Sequence, residues 1–480
     1  MMWTVILFVQ AALLYFLLTH RTRSKSEPPL DKGAIPWLGH ALEFGRDASK
    51  FIDRMKRKHG NIFTVRAAGR YVTVLLDPHS YDAVINDSDS LDFNRYAQVL
   101  MERIFNLQLP HHQPAKEKAM MKNHFLGMNL CALKSTTSTH MQALLKAEIP
   151  QNQKDWKEDG LFNLSYSLLF KVGYLTLFGG ERNNKSADAS RVYEEYKKFD
   201  GLITKLARGT LRAEEKRTAQ SVRQRLWEFL APAGLTEGSG SSPWLQAYRR
   251  LLQEEGADKE TQNRALLMQL WATQGNVGPA AFWLLGFLLK NPEALTAVKS
   301  EMETLELSSL DGHVVTPVFD SALDETLRLT AAPFITREVV QEKTLHMADG
   351  QEYLLRKGDR VCLFPFNSPQ MDSEIYQEPQ KFKYDRFLND DGSVKRDFYK
   401  GGKQLKYYNM PWGAGKNGCV GKQFAINTIR QFIYMMLTNC DLELCDPKAQ
   451  MPGVNASRYG FGMLQPDGDM RVRYKHRTVL

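Results

Sequence analysis

Apolar residues recur at helical spacing over most of the chain and alternate with polar residues in only a few short stretches. Between Phe424 and Leu437 the apolar residues share one broad face of a predicted helix. A longer predicted helix runs from Thr261 to Lys290. It ends before Asn291-Pro292, which supply an N-cap and a first-turn proline for the next helix. Helices therefore dominate the predicted secondary structure.

Short β-strands are predicted near the beginning of the chain and again after Pro333. Ile62–Val65 and Val72–Leu76 flank a turn at Ala68-Gly69 and form a predicted hairpin. The later predicted strands are Arg337–Val340, Glu352–Leu355 and Arg360–Phe364, followed by a hairpin of Tyr459–Leu464 with Met470–Tyr474. Because helices outnumber strands, the predicted fold class is mainly α with a smaller β part, an α+β arrangement.

The first residues of the chain have the composition of a membrane anchor. Met1 to Thr19 is mostly apolar and is followed by Arg21, Arg23 and Lys25. About 20 such residues can span a bilayer, and the basic flank then lies in the cytosol. A cleaved signal peptide is the alternative, but its positive charge should precede the apolar run. We predict a transmembrane anchor at residues 1–20, a basic and proline-containing hinge at 21–30 and a single domain at 31–480.

Charge and cysteine content narrow the possible partners. The formal net charge is +9, which suits an anionic membrane surface or an acidic partner, although a merely solvated basic surface is as common. Since no nucleic-acid motif accompanies this charge, we expect no nucleic-acid partner. The five cysteines are odd in number and lack zinc spacing: Cys131, Cys362, Cys419, Cys440 and Cys445. Neither a disulfide framework nor a structural zinc is predicted, and the domain should face a reducing compartment.

A glycine-rich turn, Met410 to Gly421, leads into the helix that follows and contains Cys419. Glycine tolerates positive φ, so this backbone can approach a flat ligand closely. Cys419 lies at a helix start, where N–H groups and the helix dipole favour a thiolate. A metal held by one protein sulfur would need a macrocycle for its other ligands. An inert buried cysteine is the alternative.

The segment Trp412-x-x-Gly-x-x-x-Cys419-x-Gly resembles the haem-binding signature of the cytochrome P-450 superfamily, with Trp412 where phenylalanine is usual. The resemblance implies the cytochrome P-450 fold, a triangular helical body around a buried haem b. It makes Cys419 the axial thiolate ligand of the iron and places Trp412 and Gly413 beside the cofactor. Asn417 departs from the pattern, because many members carry Arg or His there for a haem propionate. Arg337 is the expected replacement.

Two further motifs appear in the order that the superfamily uses. Glu325 and Arg328 lie three residues apart on a predicted helix, and Arg386 follows in Tyr-Asp-Arg-Phe. In the superfamily such a pair and a downstream arginine lock together beneath the haem. The resemblance therefore gives these three residues a structural role. The Glu/Arg spacing alone would carry little weight, since surface pairs of this kind are common.

The predicted helix from Thr261 to Lys290 lacks the polar pair of oxygen-activating members. Gly278 and Pro279 occupy the places where those members carry an acid and an alcohol that relay protons, and neither residue can do so. Pro279 also removes a backbone hydrogen bond near Gly275. A haem without this relay can still act on a substrate that already contains an O–O bond.

Within the superfamily, the residues around Gly278 and the segments Thr330–Glu338 and Tyr407–Gly415 resemble members that isomerise a lipid endoperoxide. This implies conversion of prostaglandin H2 to prostacyclin without NADPH, O₂ or a reductase. A sterol or fatty-acid monooxygenase and a non-catalytic haem sensor are the alternatives. With the predicted anchor, we expect a single-pass protein of the endoplasmic reticulum membrane, monomeric, with its catalytic domain in the cytosol.

The resemblance also supplies the expected substrate contacts. Asn276, beside the helix distortion, is expected to form a hydrogen bond with the endoperoxide without offering an acidic proton. The expected substrate-binding residues are Arg103, Leu109, Asn276, Thr336, Arg337 and Arg360. For Arg103 and Arg360 a solvent-exposed charge is the alternative. Cys419 and Asn276 are thus the two predicted catalytic residues.

Overall fold

Helices form most of the protein. The computed structural model describes residues 2–19, 22–150, 155–179, 185–231, 241–306 and 315–477. The α-helices in these ranges are α1 (Met2–Thr19), α2 (Ala41–Arg46), α3 (Ala48–His59), α4 (Asp82–Ile85), α5 (Phe93–Phe105), α6 (Pro114–Phe125), α7 (Gly127–Glu148), α8 (Leu161–Leu177), α9 (Lys185–Arg208), α10 (Ala213–Leu230), α11 (Pro243–Glu254), α12 (Lys259–Gln274), α13 (Val277–Lys290), α14 (Pro292–Glu303), α15 (Pro317–Thr330) and α16 (Lys422–Asn439). Within the ranges just given, no helix combines the length and the apolar character required to cross a membrane.

The strands form several small sheets. They are β1 (Leu30–Asp31), β2 (Ile62–Ala67), β3 (Arg70–Leu75), β4 (Leu91–Asp92), β5 (Lys157–Gly160), β6 (Ile335–Val339), β7 (Lys343–His346), β8 (Glu352–Leu355), β9 (Arg360–Leu363), β10 (Tyr399–Lys400), β11 (Lys403–Gln404), β12 (Cys440–Leu444) and β13 (Arg471–His476). The largest sheet has the order β1-β2-β3-β9-β6-β4, in which the β1–β2 and β3–β9 pairs are parallel. The others are β12-β13-β5, β7-β8 and β10-β11. The predicted fold class, mainly α with a smaller β part, is confirmed.

The hairpin predicted near the beginning of the chain is confirmed. β2 and β3 pair antiparallel, with Ile62 opposite Leu75 and Ala67 opposite Arg70. Gly69 lies in the turn with φ 75°. The three later strands, β6, β8 and β9, begin or end within two residues of their predicted limits. In these stretches, local alternation and turn chemistry were sufficient to predict the strand.

The predicted C-terminal hairpin is wrong. Only its second half is a strand, β13, and this strand pairs with β12 and β5. The first half, Tyr459–Leu464, contains Gly460 and Gly462 at φ 95° and 87°. These left-handed conformations interrupt an extended strand. Isolated bridges join this segment instead to residues 331–333, which connect α15 to β6.

The single helix predicted from Thr261 to Lys290 is two helices. Gly275 and Asn276 separate α12 from α13. Pro279 has no N–H to donate to the carbonyl of Gly275, so the regular hydrogen-bond ladder fails at this point. Asn276 has φ −112° and ψ −35°, and its side chain makes no capping bond to α13. The break therefore leaves the Asn276 side chain available for contacts outside the helix.

α13 lies at the centre of the helical body. Every residue from Gly278 to Gly286 is buried, and the helix packs against α8, α15 and α16. A helix that is apolar on all sides is stable only in the interior of a protein. Because neighbours hold α13 from several directions, the break at its first residue is held in place relative to α16.

Candidate active site

The loop before α16 has the backbone shape that its glycines predicted. Gly413 and Gly415 have φ of 68° and 61°, conformations that residues with side chains rarely adopt. A Cβ atom on Gly415 would lie 2.6 Å from Cγ2 of Ile85, so a larger residue would also collide there. The N–H of Cys419 donates to the carbonyl of Trp412 at 2.9 Å, which closes the loop. The loop thus fixes Cys419 just before α16.

Cys419 lines a cavity into which the residue is exposed, and its thiol forms no disulfide. Burial raises the pKa of Cys419, while the backbone N–H groups of Gly421 and Lys422 and the charge of Lys422 oppose that rise. The N–H groups at the start of α16 lower the pKa of Cys419 by less than burial raises it, so the thiolate predicted from the sequence stays a prediction. A bound cation would supply the remaining stabilisation of the thiolate.

The cavity has a volume of about 390 Å³ and is mostly apolar. Its walls come from α5, α6, α12, α13, α15, α16, the Cys419 loop, the segment 333–337 and residues 462–463. Of the residues predicted to form the site, it brings together Cys419, Asn276, Arg337, Trp412 and Gly413. Arg337 is the only charged side chain among the lining residues that the structure describes. These walls bring together parts of the chain that are far apart in sequence.

Asn276 contributes the polar group of the helix break to this cavity. Its Oδ1 atom accepts a hydrogen bond from the backbone N–H of Met463 at 3.1 Å. This contact assigns the orientation of the amide, because a backbone N–H can only face the oxygen. The Nδ2 amino group is then the donor that Asn276 can offer to a bound molecule. The segment that was expected to be a strand therefore serves to orient Asn276.

The cavity wall contains no Asp, Glu or His within the described ranges. Two polar residues of α12 that do line it are already engaged: Thr273 Oγ1 donates to the carbonyl of Gln269 at 2.8 Å, and Gln269 Nε2 donates to Glu117 at 2.8 Å. Gly278 packs against α8, where a Cβ atom would lie 2.5 Å from Cδ2 of Tyr166. An acidic side chain at position 278 would therefore have no room.

The residues around Cys419 fit a haem. In the part of the chain that the structure describes, no group of three or more His, Cys, Asp or Glu residues could hold a metal by itself. Iron bound by Cys419 would therefore need a macrocycle for its other ligands. The indole Nε1 of Trp412 is buried without a hydrogen-bond partner. Trp412 lines the cavity, so a hydrogen-bond acceptor of a bound cofactor would satisfy this N–H donor.

Arg337 brings one positive charge to the cavity wall, and its pairing with a haem propionate stays a prediction. It is 3% exposed, donates through Nη1 to the carbonyl of Thr336 at 2.9 Å and lies over the ring of Phe93 at 5.2 Å. Burial lowers the pKa of Arg337, which is the effect expected for a buried cation. No ion pair of Arg337 is formed within the described residues, so its charge is available to the cavity.

Three of the other predicted substrate residues surround Tyr96 of α5 and do not line the cavity. Arg360 lies over the Tyr96 ring at 5.0 Å. Burial raises the pKa of Tyr96, while Arg360, a hydrogen bond with Thr336 and the charge of Arg103 lower it. Thr336 Oγ1 also contacts Cys362 Sγ at 3.6 Å. Direct contact of these residues with substrate stays a prediction.

Leu109 also lies away from the cavity wall. It is partly buried and packs against the main hydrophobic core. Arg103 donates through Nη1 to the carbonyl of Ala207 at 3.1 Å, which ties the end of α5 to α9. Neither residue lines the cavity, and any contact with substrate stays a prediction.

Glu325, Arg328 and Arg386 meet as a buried cluster. Arg328 donates to both carboxylate oxygens of Glu325 at 2.7 and 2.8 Å, and Arg386 Nε donates to the same carboxylate at 2.8 Å. Glu325 and Arg328 are fully buried. Arg386 also donates to the carbonyls of Gln377 and Lys381 at 2.8 and 3.0 Å. The cluster thus fastens α15 to the segment that precedes the Cys419 loop.

Sequence reasoning missed several apolar residues of the cavity wall. They are Phe93 on α5 and Met121 and Phe125 on α6. Asp92 gives a visible signal for the start of α5, because its side chain accepts the Asn94 N–H as an N-cap. Nothing local indicates that α5 and α6 fold over Cys419. Met463 was likewise missed, since its contribution is a backbone N–H.

Comparison with known proteins agrees with the geometry around Cys419. The family model for Cytochrome P450 matches residues 28–472. Prostacyclin synthase from Rattus norvegicus is 53% identical over 475 residues, and that from Homo sapiens is 52% identical over 476 residues; each match covers 95% of this chain and 95% of the relative. The 7-alpha-hydroxycholest-4-en-3-one 12-alpha-hydroxylase of Oryctolagus cuniculus is 39% identical over 479 residues, 96% of this chain and 95% of the relative. The chain therefore belongs to the cytochrome P450 family.

Proposed function

We propose that this protein is a haem-thiolate isomerase that converts prostaglandin H2 to prostacyclin. Cys419 would hold the haem iron as a thiolate, and Arg337 and Gly413 would bind the rest of the cofactor. When bound, the haem supplies a ferric iron that accepts a peroxide oxygen and promotes O–O cleavage. The rearrangement consumes no net electrons, so neither NADPH, O₂ nor a reductase is required. Two relatives with the name prostacyclin synthase, each more than half identical to this chain, support the assignment.

The protein's own residues orient the substrate and exclude water. Asn276 donates from Nδ2 to an endoperoxide oxygen, while the backbone N–H of Met463 donates to Oδ1 of Asn276 and fixes the amide. Phe93, Phe125 and Val277 keep the reacting part of the substrate in an apolar environment. Water would otherwise capture a cationic carbon before the second ring closes, so an apolar lining that excludes water favours the isomerised product. Correct orientation of one peroxide oxygen is the other requirement.

The observation that carries this choice is the composition of the cavity wall. Asn276 provides an amide at the helix break, and no carboxylic acid or histidine lines the cavity in the described ranges. Oxygen activation needs protons delivered to iron-bound oxygen, and general acid–base help of this kind is worth about 10² to 10⁴ in rate. Isomerisation of an endoperoxide needs no such delivery. The wall therefore suits a substrate that brings its own O–O bond.

An anaerobic assay tests the proposal. The full-length holoprotein is incubated with prostaglandin H2 under argon, with and without NADPH and a P-450 reductase, and the products are identified by mass spectrometry. We expect equal yields of prostacyclin, observed as its hydrolysis product, in both samples. Product that forms only when O₂ and electrons are supplied would instead identify a monooxygenase.

A sterol monooxygenase is the second candidate. The relative that is 39% identical has the name of a 12-alpha-hydroxylase. One carboxylate, Glu117, also lies a single hydrogen bond behind the cavity-lining Gln269. An amide stands between this acid and the cavity, however, and an amide is a poor proton carrier at neutral pH. Hydroxylation of a steroid by the reconstituted protein with NADPH and O₂ would favour this candidate.

We also propose a location and an organisation for the chain. Residues 1–20 are a single membrane anchor, 21–30 a hinge and 31–480 the catalytic domain, which lies on the cytosolic side of the endoplasmic reticulum as a monomer. Support for this arrangement comes from the sequence alone, from the apolar composition of residues 1–19 and the basic residues that follow, since no helix in the described ranges meets the length and apolar character needed to cross a membrane. Deletion of residues 1–20 should yield a protein that binds haem but is extracted without detergent. Loss of haem on deletion would mean that the segment belongs to the folded core.

A further inference from the structure

A second pocket, of about 390 Å³, lies between α9, α10 and the first turns of α12. It has no lining residue in common with the cavity that contains Cys419. Arg264 of this pocket and Gln269, the nearest cavity-lining residue on the same helix, both belong to α12. At about 1.5 Å per residue they are roughly 7.5 Å apart along the helix axis. Phe105, at the end of α5, packs against Phe199 of α9 and Trp271 of α12.

The pocket is rich in positive charge. Lys216, Arg223 and Arg264 line it, and Glu260 is the single acid among the lining residues that the structure describes. Glu260 is already paired with Arg264. Burial lowers the pKa of Arg223 to about 10, and the positive charge of Arg264 adds to this decrease. Two guanidinium groups thus stand close together, and Nη2 of Arg223 already donates to the backbone carbonyls of Arg103, at 2.6 Å, and of Ile104.

Three N–H donors of the lining side chains have no hydrogen-bond partner in the described part of the chain. They are Nε of Arg223, Nε of Arg264 and Nε1 of Trp227. The Arg264 guanidinium lies over the Trp227 ring at 5.3 Å, so two of the three donors belong to side chains in direct contact. A buried donor without an acceptor destabilises the folded protein. Three such donors in one pocket indicate that an acceptor from outside the chain completes it.

Part of the remaining wall is apolar, and the rest is formed by the uncharged polar residues Asn106, Gln220 and Gln224. Leu206 and Leu211 lie at the end of α9 and in the turn after it, and Ala219 lies on α10. Together with the Trp227 ring they provide an apolar surface beside the cations. A small inorganic anion would leave that surface uncovered, whereas an alkyl chain would bury it at about 25 cal/mol per Å².

We propose that this second pocket binds an anionic headgroup, carboxylate or phosphate, that is attached to a single alkyl chain. The headgroup accepts hydrogen bonds from Arg223, Arg264 and Trp227, and the chain lies on Leu206 and Leu211. A fatty acid and a single-chain phospholipid are the two sources of such a group. The site is separate from the haem cavity, and the assignment does not depend on the reaction proposed above.

Calorimetric titration of the full-length holoprotein tests the proposal. The probes are decanoate, decyl phosphate, decanol and inorganic phosphate. We expect decanoate, decyl phosphate or both to bind, decanol not to bind, and inorganic phosphate to bind at least tenfold more weakly than decyl phosphate because it lacks the chain. A preference for decanoate identifies a fatty acid as the ligand, and a preference for decyl phosphate identifies a phospholipid. The Soret band should not change during either titration, because the pocket does not include Cys419.

Two variants locate the binding. Trp227→Phe keeps the ring and removes one donor, and Arg264→Gln removes one charge; each should weaken binding about tenfold, the usual effect of losing a hydrogen bond to a charged group. Arg217→Gln is the matched control, since Arg217 is exposed on α10 and does not line the pocket. Affinities that are equal in all four proteins, or binding that shifts the Soret band, would overturn the proposal. Decanol that binds as tightly as decanoate would do the same.

Discussion

The side-chain oxygen of Asn276 and the backbone N–H of Met463 are joined by a hydrogen bond of 3.1 Å. It connects the break between α12 and α13 to a segment near the C-terminal end of the chain. A Cβ atom on the neighbouring Gly462 would lie 2.6 Å from Asn276 Oδ1, so glycine is needed for this approach. The contact holds the oxygen and leaves the amino group as the donor. Two substitutions separate these two roles.

Asn276→Asp keeps an oxygen for Met463 and removes the donor. We expect turnover of prostaglandin H2 to fall by about ten- to a hundredfold, because a hydrogen bond to a group that develops charge is worth about 1.5–3 kcal/mol. Asn276→Ala removes both functions and should reduce turnover by at least as much. Steady-state rates and the haem spectrum of each purified variant provide the measurement.

The spectrum is the control for these two variants, since both should retain haem bound through Cys419. Thr273→Val serves as a matched substitution in the same wall. The Thr273 hydroxyl already donates to a helix carbonyl, so its loss should change the rate less than threefold. Full activity of Asn276→Asp would show that the amide donor has no part in the reaction.

The cluster of Glu325, Arg328 and Arg386 should respond sharply to the loss of its single carboxylate. Glu325→Gln leaves two guanidinium groups buried without a counter-charge, which typically costs about 3–5 kcal/mol. We expect a lower midpoint in urea unfolding and reduced haem content after expression, because the cluster fastens the segment before the Cys419 loop. Absorbance at the Soret band relative to protein concentration measures the haem content.

Glu443→Gln is the control for this substitution. Glu443 also pairs with an arginine, Arg473, but both side chains are 46% exposed. A surface pair of this kind contributes about 0–1 kcal/mol. Similar losses in the two variants would contradict a special role for the buried cluster.

The features that could be predicted from the sequence are those fixed by neighbouring residues. The Cys419 loop, the hairpin of β2 and β3 and the Glu325–Arg328 pair each depend on residues within a few positions of one another. The break at Asn276 was partly predictable, because Pro279 must interrupt the helix ladder. The sequence did not predict that the break would separate two helices completely. The packing of surrounding helices decides whether a proline bends a helix or ends it.

The features that could not be predicted depend on contacts between distant segments. Tyr459–Leu464 alternates like a strand, yet of its two left-handed glycines Gly462 allows the approach to Asn276 and Gly460 allows the approach to Phe334. The placement of Arg360 and Thr336 around Tyr96 likewise depends on how α5 packs on β6. Periodicity carries no information about such partners.

His112 should make stability depend on pH. Its Nε2 lies 2.9 Å from Glu117, and its Nδ1 lies 3.3 Å from Glu255. The hydrogen bond with Glu117 is the main cause of a raised pKa for His112. Because the pKa of His112 is raised by folding, its protonation stabilises the folded protein fully below the pKa of the unfolded state, about 6.5. This stabilisation is lost as the pH rises through the pKa of His112 in the folded state. The melting midpoint of the wild-type protein should therefore fall as the pH is raised from about 6.5 through the folded-state pKa of His112. The melting midpoint of His112→Gln should fall less over the same pH interval.

The difference between the two pH profiles isolates His112 from other titrating groups. His346→Gln provides the control, because His346 and its partner Glu352 are exposed, at 68% and 62%, and such a pair contributes little. Its profile should follow that of the wild-type protein. Parallel profiles for His112→Gln and the wild-type protein would contradict the predicted link.

Gly278 should tolerate no side chain, because α13 and α8 are in backbone contact there. A Cβ atom would lie 2.5 Å from Cδ2 and 2.8 Å from Cα of Tyr166. Gly278→Ala gains about 0.5–1 kcal/mol of helix propensity, but overpacking of a closed core costs about 1–3 kcal/mol. The steric cost should prevail, with a lower urea midpoint and a displaced Asn276 that lowers turnover.

Gly45→Ala is the control, since no atom lies within 4 Å of its added Cβ, and it should be neutral or stabilising. If Gly278→Ala is as stable as Gly45→Ala, the two helices have room for an acidic residue at position 278, and the missing proton relay is not a consequence of packing.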